Sequence, residues 1–139
     1  MTARPDRVFG DTSFFFACLE PLDAHHGRAL ELASRIVDRG WVVHTTWDVI
    51  SETVTLLRYR ASFAAAVAFL TDVKPALRIV EYGLAVRAEA EQAFRQYGRE
   101  RRLSLCDAVS FVVVTTLLDG APTWTFDEDF RALGLVIVN

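Results

Sequence analysis

Strand-like and helix-like segments alternate along this chain almost from its first residues, and that alternation narrows the fold more than any other feature. Val8-Phe9-Gly10 continue from Arg7 as a short apolar run, which Asp11-Thr12-Ser13 stops. A helix starting at Ser13 would bury Phe14, Phe15, Cys18 and Leu19 before Pro21 ends it. Asp23 is placed to cap a second helix over residues 24–39, with Leu30, Ala33, Ile36 and Val37 inward and Gly40 as its stop. Trp41 to His44 reads as a strand. Thr45 and Thr46 are cap candidates for a helix reaching Arg60, residues 63–72 form a helix that Pro75 closes, and residues 77–82 form a third strand. The series continues with a polar helix over 84–97 and an almost wholly apolar helix over 105–118. It ends with a strand over 122–126, a short helix capped by Asp127 and a last strand over 135–138.

Strands alternating with helices are joined by right-handed crossovers into a mainly parallel sheet. Short, apolar, β-branched strands are those covered on both faces. The expected fold is α/β: a three-layer sandwich in which a mainly parallel, short-stranded sheet is flanked by helices. A length of 139 residues fits one domain, 1–139, with a core that needs no staples. No repeat, linker or low-complexity stretch divides it, and Arg99-Glu100-Arg101-Arg102 is too short to do so. The longest apolar run, Phe63 to Leu70, falls far short of the roughly 20 residues of a membrane helix, so no membrane partner is expected. Early arginines before Phe14-Phe15-Phe16-Ala17-Cys18-Leu19 look leader-like, but Asp11 interrupts and no small-residue cleavage site follows, so the start is expected to be folded. Cys18 and Cys106 lack metal-type spacing and are expected as packed thiols in a reducing cytoplasm.

The charge balance poses a question. The net charge is -3, which argues against bulk attraction to nucleic acid, yet Arg supplies every cation but Lys74. The acids must therefore be located. Open α/β sheets bind ligands at the carboxyl ends of their strands. Asp11 ends the first strand and Asp127 follows the strand through Phe126. Capping explains Asp127 well enough. It explains Asp11 less well, because Thr12 or Ser13 would serve equally. Asp107 sits in the first turn of the apolar helix, where Ser104-Leu105-Cys106-Asp107 fits a capping box. A helix apolar all round is buried, however, and a buried carboxylate needs cations, donors or a metal. Glu52 lies just beyond the apolar edge of its helix, with Asp48 one turn earlier. Converging carboxylates repel one another, and a hard divalent cation removes that cost. Such a site is suited to hydrolysing phosphodiesters.

Five pieces then fall in register: Val8 to Ser13; Asp23-Ala24-His25-His26 with Ala29; Thr45-Thr46 with Ser51-Glu52-Thr53; Arg102 to Ala108; and Thr125 to Phe130. In these the chain resembles the PIN-domain ribonucleases, most of all the VapC-type toxins of bacterial toxin–antitoxin pairs. The resemblance covers essentially the whole chain. It implies an acidic, Mg²⁺- or Mn²⁺-dependent site that cleaves single-stranded regions of RNA. It also implies a homodimer, and a small antitoxin that lies over a hydrophobic groove and inserts a basic residue near the acids. By the resemblance, Asp11, Glu52, Asp107 and Asp127 are the acidic quartet. Asp11 and Asp107 are the principal metal-side ligands, while Glu52 and Asp127 bind through water or orient the attacking water. Thr12 or Ser13, and Thr125, match supporting hydroxyls. Asp129 is expected on the helix surface, though it and Asp127 could exchange roles. Gly10 departs from the family's apolar strand residue, a change expected to bend the chain before Asp11.

Arg99, Arg101 and Arg102, with Arg95, precede the Asp107 helix and suit RNA phosphates. Arg58 and Arg60 read better as solvated cations facing a helix dipole. His25 and His26, being adjacent, do not share a helix face and read better as packing or capping. At least one of Phe14, Phe15 and Phe16 should point away from the core, and Trp41 and Trp47 should be exposed, marking a partner surface. The expected function is a metal-dependent endoribonuclease toxin. A second reading is a non-catalytic PIN-like binding module whose acidic pocket holds a basic partner residue. A receiver-type phosphoacceptor domain would need a Lys at a late strand end, where this chain has none.

Overall fold

The computed structural model describes residues 6–139; residues 1–5, including the Arg4 that gave the start its leader-like look, lie outside the described residues. Five strands form one sheet: β1 (Arg7–Gly10), β2 (Val42–Thr45), β3 (Arg78–Ile79), β4 (Thr123–Trp124) and β5 (Ile137–Val138). Their order is β3-β2-β1-β4-β5, and every pairing is parallel. Phe9 pairs with both His44 and Thr123, and Gly10 pairs with Trp124, so β1 is the central strand. The sheet is flanked by α1 (Thr12–Leu19), α2 (His26–Arg39), α3 (Trp47–Arg60), α4 (Phe63–Ala68), α5 (Leu84–Tyr97), α6 (Leu105–Leu117) and α7 (Asp129–Ala132). Phe9, Phe69, Trp124 and Phe130 are the largest fully buried side chains, and they pack between sheet and helices.

Several expectations change. On α2 the buried residues are Ala29 and Leu32, with Ala33 and Ile36 half-buried, whereas Leu30 is 48% and Val37 79% exposed. The small Ala29 faces α1, where the Cys18 thiol reaches its carbonyl. Close approach of two helices selects a small side chain there, so the larger Leu30 points out. Asp23 does not cap α2; its carboxylate accepts the N–H of His25, and His25 occupies the cap position without a side-chain bond. The helix expected over residues 63–72 becomes α4, then a π-helical turn over Phe69–Val73 and a 3₁₀ turn over Lys74–Ala76. Pro75 explains the change: its ring has no N–H and clashes with the preceding turn, so the helix widens before reaching it. β3, β4 and β5 are each shorter than the apolar runs that contain them.

β1 does not bend at Gly10. The strand pairs through it, and the Asp11 N–H continues the ladder to the Trp124 carbonyl at 3.1 Å. The missing side chain makes room for Phe15 instead: a Cβ on residue 10 would lie 2.4 Å from the tip of that ring. Phe15 is buried and packed against Phe14 and Phe69, so the ring cannot swing away. Gly10→Ala is expected to destabilise the fold by about 1–3 kcal/mol through overpacking, read as a lowered urea midpoint. Adding Phe15→Leu should restore part of the loss.

Candidate active site

The direction of chain winding reverses between β1 and β4, since β1 leads to β2 and β3 on one side while β4 and β5 lie on the other. At such a switch point the loops leaving two neighbouring strands diverge and open a crevice at their carboxyl ends. Asp11 leaves β1 into this crevice, and Thr125, Phe126 and Asp127 leave β4 into it. A helix that feeds a parallel strand must begin at the same edge. Hence Glu52, in the second turn of α3, and Asp107, in the first turn of α6, arrive there too.

Asp11, Glu52, Asp107 and Asp127 line one cavity of about 320 Å³, together with Thr12 and Ser13. Asp11 caps α1. Its Oδ2 accepts the Ser13 N–H at 3.4 Å, the Ser13 hydroxyl at 3.0 Å and the Thr125 hydroxyl at 2.8 Å. Those hydroxyls in turn accept the N–H groups of Phe126 and Asp127, which ties the two strand ends together. Thr125 is fully buried and stands behind Asp11 rather than in the cavity wall. Burial pushes the Asp11 carboxyl up, and the bonds from Thr125 and Ser13 only partly pull it back.

Asp107 completes a capping box with Ser104: its Oδ2 accepts the Ser104 N–H, and the Ser104 hydroxyl accepts its own N–H, both at 3.0 Å. Burial drives its carboxyl up to about 7, with the charges of Asp11 and Glu52 adding to the rise and the Ser104 bonds opposing it. Glu52 is half-buried. Asp127 is half-buried, and its Oδ1 accepts the Asp129 N–H at 2.9 Å. Burial first, then Asp129 and Asp11, raise its pKa above the ordinary carboxylate value. Asp129 is half-buried and does not line the cavity.

The remaining wall comes from residues that the sequence did not assign to the site. Phe16, Asp23, His25, Leu56, Arg60 and Phe126 all contribute to it. Arg99 and Arg102 are exposed and Arg101 is half-buried between α5 and α6; none lines the cavity. One signal would have found His25. It stands at the start of a helix feeding a parallel strand, so topology alone places it at the acidic edge. For Arg60 there is no such rule, since a long side chain at the far end of α3 reaches the cavity only through the packing of α3.

The PIN domain family matches residues 8–135. This chain belongs to the PIN-domain family. The PIN domain is 36% identical over 132 residues to the 23S rRNA-specific endonuclease VapC20 of Mycobacterium tuberculosis, covering 94% of this chain and 97% of that one. The crystal structure of M. tuberculosis VapC20, described as a sarcin–ricin loop cleaving toxin, superposes with a TM-score of 0.81 at 33% identity, over 93% of this chain and 96% of that one. VapBC2 of Rickettsia felis, solved bound to a DNA fragment from its promoter, shares the fold with a TM-score of 0.66 at 13% identity, over 96% and 98% of the two chains.

The donor set of this PIN domain fits a hard divalent cation. It is all oxygen, and Asp11 and Asp107 each commit Oδ2 to protein donors. The Thr12 hydroxyl, 4% exposed and on the cavity wall, has no partner among the described residues. Among those residues no three His, Cys, Asp or Glu side chains close on one point. Mg²⁺ is commonly held by one or two carboxylates with water completing its shell, a demand this arrangement meets. Cys18 and Cys106 are both free and half-buried, and burial pushes both thiols up, so neither is a ready thiolate ligand.

Proposed function

We propose that this PIN domain is a metal-dependent endoribonuclease and the toxin of a toxin–antitoxin pair, with residues 1–139 acting as one nuclease unit. One observation carries the reading: four carboxylates line a single cavity at the switch point of a chain 36% identical, over nearly its whole length, to a 23S rRNA-specific endonuclease. Asp11 and Asp107 are the residues that would hold Mg²⁺ or Mn²⁺. Bound there, the ion would polarise the phosphate and lower the pKa of water. Glu52 and Asp127 would hold the ion through water or orient the water that attacks phosphorus, with a carboxylate taking that water's proton and the RNA oxygen opposite leaving, without a covalent intermediate. Ser13 and Thr125 fix Asp11, and Thr12 supports the site from the cavity wall beside it. Arg99, Arg101 and Arg102, just before the Ser104 cap, hold phosphates beyond the cavity.

The partner reading follows the same lines. Phe14 and Phe15 are core, whereas Phe16 lines the acidic cavity and Trp47 is 58% exposed. A second, apolar cavity of about 210 Å³ lies between α1, α2 and β2, lined by Phe14, Phe15, Cys18, Ile36, Val43 and Leu77. It suits an apolar segment of a small antitoxin. The active form would be a homodimer in the cytoplasm. Among the described residues no helix is long and apolar enough to cross a membrane.

The test is direct. Purified protein should cut 23S rRNA, or a hairpin carrying its sarcin–ricin loop, in Mg²⁺ or Mn²⁺, and stop on chelation. Expression should arrest growth, and co-expressed antitoxin should relieve the arrest. Cleavage that continues unchanged in excess EDTA would overturn the metal-dependent assignment.

A further inference from the structure

Three rings share the wall of the acidic cavity: Phe16, His25 and Phe126. The imidazole of His25 lies flat on Phe126, with centroids 4.3 Å apart and planes within 4°. Phe126 is half-buried and His25 exposed, so the accessible surface of the imidazole lies on the side away from Phe126. The stack is held at both ends. The His25 N–H donates to Asp23 Oδ1 at 2.8 Å, and His26 Nδ1 donates to the Ala17 carbonyl at 2.6 Å, pinning the start of α2 to α1. The Phe126 N–H donates to the Ser13 hydroxyl, which itself donates to Asp11. A ring pair fixed in this way loses little freedom when a third ring is laid on it. The same wall carries Arg60, its only Arg or Lys among the described residues, whose planar fork suits a phosphate.

Unstacked bases of single-stranded RNA lie on aromatic, imidazole and guanidinium planes, whereas paired bases have no free face to offer. We propose that the His25–Phe126 stack is a platform for one unpaired nucleobase of the RNA, held beside the acids, with Arg60 taking the adjoining phosphate. The inference rests on the nuclease reading and adds to it a subsite: the base next to the cut must be unpaired, and its identity matters less than its flat face.

The experiment uses sarcin–ricin-loop hairpins, each carrying 2-aminopurine at one loop position, bound to Asp11→Asn protein in EDTA so that cleavage does not intervene. Emission from one position should fall on binding. Adding His25→Ala should remove that quenching and weaken binding about 5-fold or more, the loss expected for one stacking contact. Adding His25→Tyr, which keeps a flat ring, should preserve both. An abasic residue at the quenched position should cost the same factor in the Asp11→Asn protein and nothing further once His25 is Ala, a coupling that a merely structural role for His25 would not produce. Quenching that survives His25→Ala, or binding without quenching at any position, overturns the platform. So does failure to bind either these hairpins or a labelled single-stranded oligonucleotide. The two readings fail separately: wild-type cleavage without the platform signal removes only the platform, and a platform signal without wild-type cleavage removes only the nuclease.

Discussion

Replacing Asp11 with Asn is expected to slow RNA cleavage by about 10²–10³-fold while leaving the protein folded, a loss on the scale of deleting one preorganised electrostatic group. The substitution isolates charge from shape. Asn keeps an oxygen that can accept from Ser13 and Thr125, so the link between the ends of β1 and β4 survives. It removes a buried negative charge beside Asp107 and Asp127, both of whose carboxyls Asp11 pushes up. Without divalent cation, the variant should therefore melt at or above the wild-type temperature. Activity is read on 23S rRNA with Mg²⁺ or Mn²⁺, and stability by thermal melting in EDTA. A variant that cuts at wild-type rate places the chemistry elsewhere. A variant that has lost its melting transition shows that Asp11 is a structural cap first.

The second large effect is on pH. The Asp107 carboxyl is held near 7 in the folded protein, against about 3.9 for an unfolded chain. Below about pH 4 both states carry the proton and the group contributes nothing. As pH rises the unfolded state loses its proton first, so folded stability falls between about pH 4 and 7 and levels off above. Linkage sets the loss for this group at about 2–4 kcal/mol in the absence of metal. Asp11 and Asp127 shift in the same direction and add to the slope. Divalent cation reverses the trend, because only the ionised acids bind it: affinity should rise by up to about tenfold per pH unit until the site is deprotonated near 7. Urea midpoints in EDTA and in Mg²⁺ across pH 4.5–8 give both curves. Asp107→Asn should flatten them. A wild-type midpoint that stays level across this range in EDTA would contradict the buried-acid arrangement.

Periodicity and turn residues sufficed for the alternating elements, because each strand is a short apolar run bounded by a strong stop. The order of the strands was less accessible. Nothing local in Thr123-Trp124 says that it pairs with Gly10 rather than with β3; that follows from long-range packing around Trp124. Residue-level errors on α2 came from placing its apolar face on Leu30 and Val37 rather than on Ala29 and Leu32. On α2 the close approach to α1 selects Ala29 and turns Leu30 outward, a preference invisible to a hydropathy pattern. For the candidate site, strand-end logic put Asp11 and Asp127 at the cavity edge, though capping explained Asp127 well enough and only the resemblance named it an acid of the site. Asp107 needed the conflict between a capping box and a buried apolar helix, and the structure keeps both halves of that conflict: the carboxylate caps Ser104 and also lines the cavity. Arg60 was read through its helix dipole, a local argument that says nothing about where a long side chain ends.

Phe15 and Gly10 form a matched pair in which one residue occupies the space the other leaves. The consequence is historical. A lineage could not gain an ordinary apolar residue at position 10 while keeping Phe15, and a lineage that first shrank Phe15 would carry a void in its core until position 10 grew. Either single step is expected to lower stability, by overpacking in one case and by a cavity in the other, and the paired exchange to lower it less. The chain thus sits on its own side of a small evolutionary barrier. Because residue 10 is bonded to the first acid, the packing of the core beneath the site and the position of Asp11 are tied together.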